Sequence, residues 1–293
     1  MTQKKLYQGY SLKELNAQYD CREMVPEHAN IYAGFKSDSD AVLSEYKVHL
    51  DVPYGPSKEE TLDIYLPKTS GQQTMPINIY LHGGYWYSRH KNDFRFLARG
   101  IVSSGAILVV VNYALIPNVN LDEIIRQCRA AVSWTHKNST SFGADRERIH
   151  ISGPSAGGHL TAMMFATNWA DFDNDLPANL IKGGAALSGI YDLTPIAMTF
   201  MHKTLNFTSD QISRNSPEFL SPITNAPLII SVGGDESNEF RRQSEALAKA
   251  WKNNEIEYLL MELKGINHFT ILGEYANPES TLAQAIQKQM GLD

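Results

Sequence analysis

Short runs of β-branched and aliphatic residues alternate with longer stretches of mixed apolar and polar positions through most of this chain. Eight short runs read as strands: Tyr46–Val52, Leu62–Leu66, Ile77–His82, Ala106–Asn112, Arg148–Ser152, Gly184–Ser188, Pro227–Val232 and Glu257–Leu263. Several, such as ILVVV and LIISV, are apolar at every position, as expected of strands covered on both faces. The stretches Asn92–Ser104, Leu121–Asn138, Gly157–Trp169, Glu239–Asn253 and Pro278–Met290 fit helices. From Ile77 onward strands and helices alternate. That order implies an α/β fold with a mainly parallel central sheet of about eight strands and helices on both faces. In such sheets active sites collect at the carboxyl ends of the strands.

No repeat or low-complexity linker divides the chain, so residues 1–293 are expected to form one domain. The stretch 191–225 lacks clean periodicity and, with the N-terminal segment 1–45, is a candidate cap element. With 43% hydrophobic and 20% charged residues, the chain can bury a core and is not expected to be disordered. A net charge of −6 disfavours nucleic acid or an anionic membrane as the main partner. The two cysteines, Cys21 and Cys128, are too few for a disulfide framework, and the opening MTQKKLYQGYSLKEL has no apolar signal segment. The apolar run Ala106–Ile116 is too short to span a bilayer. A reduced, cytoplasmic setting and a small-molecule substrate are therefore expected, and a homodimer is compatible with the sequence.

The segment RIHISGPSAGGHLTAMM reads strand, tight turn, helix, with G-x-S-x-G at Gly153–Gly157. Nucleophilic catalysis by serine needs the hydroxyl held out on such a strained turn, which points to Ser155. A dinucleotide turn is the competing reading, but G-x-G-x-x-G is absent. Upstream, His82-Gly83-Gly84-Tyr85-Trp86 directly follows a strand. Acyl transfer needs backbone N–H donors at the developing alkoxide, and Gly83, Gly84 and Ala156 are placed to supply them. His82 precedes the serine, the wrong order for the base of this fold, and is expected to brace the loop. His268, in the loop after the last strand, is the candidate base. Two adjacent carboxylates follow the preceding strand. Spacing from Gly233 selects Glu236, whereas the commoner acid type selects Asp235, and the other is expected to cap the helix starting near Asn238. Tyr85, Trp86 and Phe269 are candidates for an aromatic wall around a planar substrate. No metal-ligand spacing is present, so neither metal nor other cofactor is expected.

Together these motifs resemble kynurenine formamidase (arylformamidase) and its bacterial relatives among α/β-hydrolases, from about Leu62 to His268. The likeness rests on HGGYW at 82–86, SAGGHL at 155–160, LSGIYDLTPI at 187–196, RNSP at 214–217 and ESNEFRRQS at 236–244. Pro154 stands where the family often has His. The resemblance implies Ser155 as nucleophile, Glu236 rather than Asp235 as acid, His268 as base, and Gly83, Gly84 and Ala156 as oxyanion donors. It further implies hydrolysis of N-formylkynurenine to kynurenine and formate. The expected activity is that of a serine hydrolase cleaving a small acyl group from an aryl amide or ester through an acyl-enzyme. A general short-chain carboxylesterase is the alternative, and a non-catalytic binding protein a more distant one.

Overall fold

A computed structural model describes residues 5–68, 74–252 and 256–292. Residues 1–4 of the N-terminal segment and Asn253, the end of one predicted helix, lie outside these. Eight strands form one sheet: β1 (Lys47–Pro53), β2 (Thr61–Leu66), β3 (Met75–Leu81), β4 (Ile107–Val111), β5 (Ala144–Pro154), β6 (Ile181–Leu187), β7 (Leu228–Gly233) and β8 (Tyr258–Leu263). Their order is β1-β2-β4-β3-β5-β6-β7-β8. Only the β1–β2 and β2–β4 pairs are antiparallel, and the rest of the sheet is parallel. The apolar runs do occupy the middle of the sheet. Every residue of β4 and β7 is buried, as is appropriate for strands with helices on both faces.

The helices that matter here, in chain order, are α1 (Leu12–Tyr19), α2 (Cys21–Met24), α3 (His28–Glu45), α4 (Leu121–Asn138), α5 (Ala156–Phe165), α6 (Asn238–Lys252), α7 (Ile271–Ala276) and α8 (Thr281–Gln289). Helix α4 has the predicted bounds. Its Asn120 side chain accepts from Glu123 N–H, and its acidic first turn suits the helix dipole. Two predicted helices differ. The stretch 92–104 is a 3-10 helix (Lys91–Leu97), one α turn (Ala98–Ile101) and a second 3-10 turn (Val102–Ser104). Its first turn is tethered sideways, because the fully buried Lys91 ammonium bonds Asp51 at 2.6 Å and Asp63 at 2.5 Å. The helix expected over 157–169 stops at Phe165, and a separate turn follows at Trp169–Phe172.

The described part of the N-terminal segment is largely helical. A capping box joins Ser11 and Glu14 at the start of α1. Hydrogen bonds and ion pairs fasten the segment to the body. Tyr19 Oη donates to Glu239 and accepts from Gln243 Nε2, Tyr7 Oη donates to Asp192, and Arg99 pairs with Asp38 and Glu45 of α3. No helix among the described residues is long and apolar enough to cross a membrane.

Candidate active site

Strand β5 ends at Pro154 and α5 begins at Ala156, so Ser155 alone makes the turn, at φ 55° and ψ −121°. Left-handed φ costs a residue with a side chain about 1–2 kcal/mol, and here it projects the hydroxyl from the sheet edge. The turn can be this tight only because of Gly153 and Gly157. A Cβ on either would stand within 2.3 Å of the Leu81 carbonyl at the end of β3. That close approach also sets the next chain segment. A Cβ on Gly83 would lie 2.9 Å from Pro154 O and 3.3 Å from Ser155 Cβ, so the loop after β3 lies directly against the serine. Gly84 has φ 114°, and a side chain there would strike Ser88 O. Ala156, as the first residue of α5, has an N–H with no acceptor within the helix.

His82 is fully buried away from the serine. Its Nδ1 is 2.7 Å from Gly83 O, and its ring stacks on Tyr113 with centroids 4.1 Å apart. Burial pushes its pKa down to about 4, so the ring stays neutral and donates to the loop carbonyl as a brace.

The carboxylate is Glu236. Its Oε2 lies 2.6 Å from His268 Nδ1, while Oε1 accepts from Gly233 N–H at 2.7 Å and from Ser188 Oγ. Both side chains are enclosed, Glu236 at 0% exposure and His268 at 8%. Asp235 is exposed. Its expected role as helix cap is also corrected. The side chain accepting at the start of α6 is Ser237, from Phe240 N–H, because Ser237 directly precedes the first helical residue.

Ser155, His268, Gly83 and Gly84 line one cavity of about 300 Å³. The N-terminal helices contribute Tyr19, Cys21 and Tyr32 to it, and the segment 191–225 contributes Phe200 and Met201. Of the expected aromatic wall, Tyr85 and Phe269 line the cavity. Phe269 packs on Tyr32 and His28, with centroids 5.4 and 5.6 Å apart. Tyr85 Oη donates to Tyr19 O at 2.7 Å and sits 3.1 Å from Cys21 Sγ.

Trp86 does not belong to the wall. It is fully buried, and its Nε1 donates to His159 Nδ1 at 3.3 Å. His159 Nε2 in turn donates to Asn215 O at 2.7 Å. Burial pushes the His159 pKa down to about 4, keeping the ring neutral so that it can accept and donate at once. The Trp of HGGYW, the His of SAGGHL and the Asn of RNSP thus form one buried chain. Trp86→Phe is expected to cost about 1–2 kcal/mol of stability through the unpaired His159, with substrate KM little changed. Thermal unfolding beside steady-state kinetics checks this.

The sequence does not mark Cys21, Ser188, Phe240 or Arg89 as site residues. The Phe240 ring lies 4.4 Å from that of His268. Cys21 acts on the same imidazole. Burial opposes the charged ring, but Cys21 and then Glu236 favour it and prevail, raising the His268 pKa above the ordinary histidine value. A base works when neutral, so the activity should rise with pH as His268 loses its proton. Removing a group that raises this pKa moves that rise to lower pH. For Cys21→Ala the acid limb of the kcat/KM profile is therefore expected at lower pH than in wild type. A limb that stays put or moves up contradicts this role.

Fold and site together define an α/β-hydrolase. The BD-FAE family matches residues 62–248. The chain is 31% identical to a kynurenine formamidase of Danio rerio over 99% of this chain and 97% of the relative. It is 34% identical to that of Salmo salar over 83% of this chain and 82% of the relative. A solved structure of a candidate thioesterase from Silicibacter sp. superposes with a TM-score of 0.82 at 25% identity, covering 94% of this chain and 99% of the other. The chain belongs to the kynurenine formamidase family of hydrolases.

Proposed function

We propose that this protein is a serine hydrolase that removes a formyl group from an aryl formamide of the N-formylkynurenine type. The observation that carries the reading is that His268, held by Glu236, lines the same cavity as the strained Ser155. Glu236 accepts the hydrogen bond of His268 Nδ1–H and so fixes the tautomer whose Nε2 is free to accept the Ser155 hydroxyl proton. The Ser155 oxygen then adds to the formyl carbon. The oxyanion is held by N–H groups of Gly83, Gly84 and Ala156, at the positive end of α5. Collapse breaks the C–N bond, and His268 returns its proton to the departing aryl amine. Water, deprotonated by His268, then attacks the formyl-serine ester and releases formate.

Helices α1 to α3 and the segment 191–225 act in this reading as a cap. The aromatic faces of Tyr32, Tyr85 and Phe269 suit a planar leaving group, and a formyl group needs little room beside the glycine loop. Cys21 and Cys128 are both free and buried, which fits a reduced compartment. Turnover of N-formyl-L-kynurenine against p-nitrophenyl acetate tests the reading. A larger kcat/KM for the formamide is expected. Negligible deformylation beside brisk ester cleavage would replace it by a general short-chain carboxylesterase.

A further inference from the structure

The loop that follows the oxyanion glycines is wound through three left-handed residues, Tyr85, Trp86 and Arg89, the last at φ 80°. Trp86 is explained by its buried contact with His159 and Tyr85 by its bond to Tyr19. Arg89 has no such explanation. Its stem passes over the oxyanion loop, with Cγ 2.8 Å from where a Gly84 side chain would start. Its guanidinium carbon lies 3.4 Å from the centroid of the Tyr32 ring. The residue is half-buried and lines the catalytic cavity. No carboxylate among the described residues pairs with it, whereas Arg95, Arg99, Arg126, Arg214 and Arg242 each have one. The other arginine at the cavity, Arg22, is exposed and shares α2 and its N-cap with Glu23 and Asp20, so its charge is offset locally.

A cation held over an aromatic face, at a backbone conformation that costs energy, and without an internal anion is built for an external one. We propose that Arg89 is a specificity-determining residue that binds a carboxylate on the leaving-group part of the substrate. The geometry of the guanidinium suits the two oxygens of a carboxylate in a forked contact. The anion belongs to the leaving group because a formyl group has no room for one, and to this extent the inference rests on the proposed function. Tyr32 holds the guanidinium plane from one side and packs on Phe269, which adjoins His268. An aryl group lying in the cavity against these rings would bring its carboxylate to Arg89 as its formyl carbon reaches Ser155.

The test compares two substrate pairs, each an acid and its neutral carboxamide: N-formyl-L-kynurenine with its α-carboxamide, and 3-carboxyphenyl acetate with 3-carbamoylphenyl acetate. For at least one pair, wild type is expected to prefer the acid by about 30-fold in kcat/KM, mainly through KM, the range of a charge-assisted contact. Arg89→Gln should bring that preference to within about threefold, and Arg89→Lys, which keeps the charge but not the fork, should fall between. If Arg89→Gln does not fold, Arg89→Lys still has to show a reduced preference. Deformylation absent in wild type while the acetates turn over rejects the formamidase reading but leaves the acetate pair to decide on Arg89. An equal rate for acid and carboxamide in both pairs, or a preference unchanged in Arg89→Gln, overturns the proposal, as does a wild type inactive on all four.

Discussion

Ser155→Ala is expected to lower kcat/KM for N-formyl-L-kynurenine by about four orders of magnitude or more, with folding intact. The variant keeps the N–H groups of Gly83, Gly84 and Ala156 and the aromatic wall, so binding should survive and a small residual rate above water should remain. Its stability should stay close to that of wild type, because alanine keeps the Cβ that makes φ 55° costly. Steady-state deformylation together with thermal unfolding separates these effects. A loss of only tenfold would mean that the hydroxyl is not the attacking group.

The second large effect concerns the acid. Glu236→Ala is expected to reduce kcat by about 10³- to 10⁴-fold, because His268 would lose the group that fixes its tautomer and balances its charge. Asp235→Asn should stay within about threefold of wild type, since Asp235 is exposed and Ser237 caps the helix. Glu236 also ties three elements together, joining β7 through Gly233, the end of β6 through Ser188, and the loop after β8 through His268. Glu236→Gln is therefore the milder structural test: it can still accept from Gly233 but favours the wrong imidazole tautomer. Equal losses on replacing Asp235 and Glu236 would undo the assignment.

Much of this was legible because each element obeys a local rule. Short β-branched and aliphatic runs located the eight strands to within a few residues, and the order serine, acid, histidine placed the three polar residues at the ends of β5, β7 and β8. The choice between Asp235 and Glu236 was not decided by periodicity, because adjacent residues after a strand both lie at the correct edge. Only the Gly233 N–H and the Ser188 hydroxyl decide which one turns inward. The N-terminal helices had one readable signal, the S-x-x-E at 11–14, but their weak amphipathicity hid the rest. Cys21 and Tyr32 reach the cavity through contacts more than fifty residues away in sequence, with Tyr85 in one case and Arg89 in the other. No local pattern reports such a meeting. Trp86 misled for a related reason. Its position after Gly84 implied a place beside the substrate, whereas the left-handed turn at φ 59° sends its ring into the core toward His159.

The Cys21 thiol lines the same cavity as the Ser155 hydroxyl, and the chemistry is assigned to Ser155 alone. Peptide mass spectrometry after treatment with an alkyl fluorophosphonate decides between them. One adduct per chain on Ser155, abolished in Ser155→Ala and retained in Cys21→Ala, is the predicted result. An adduct on Cys21, or an unlabelled wild type that still deformylates substrate, would contradict it.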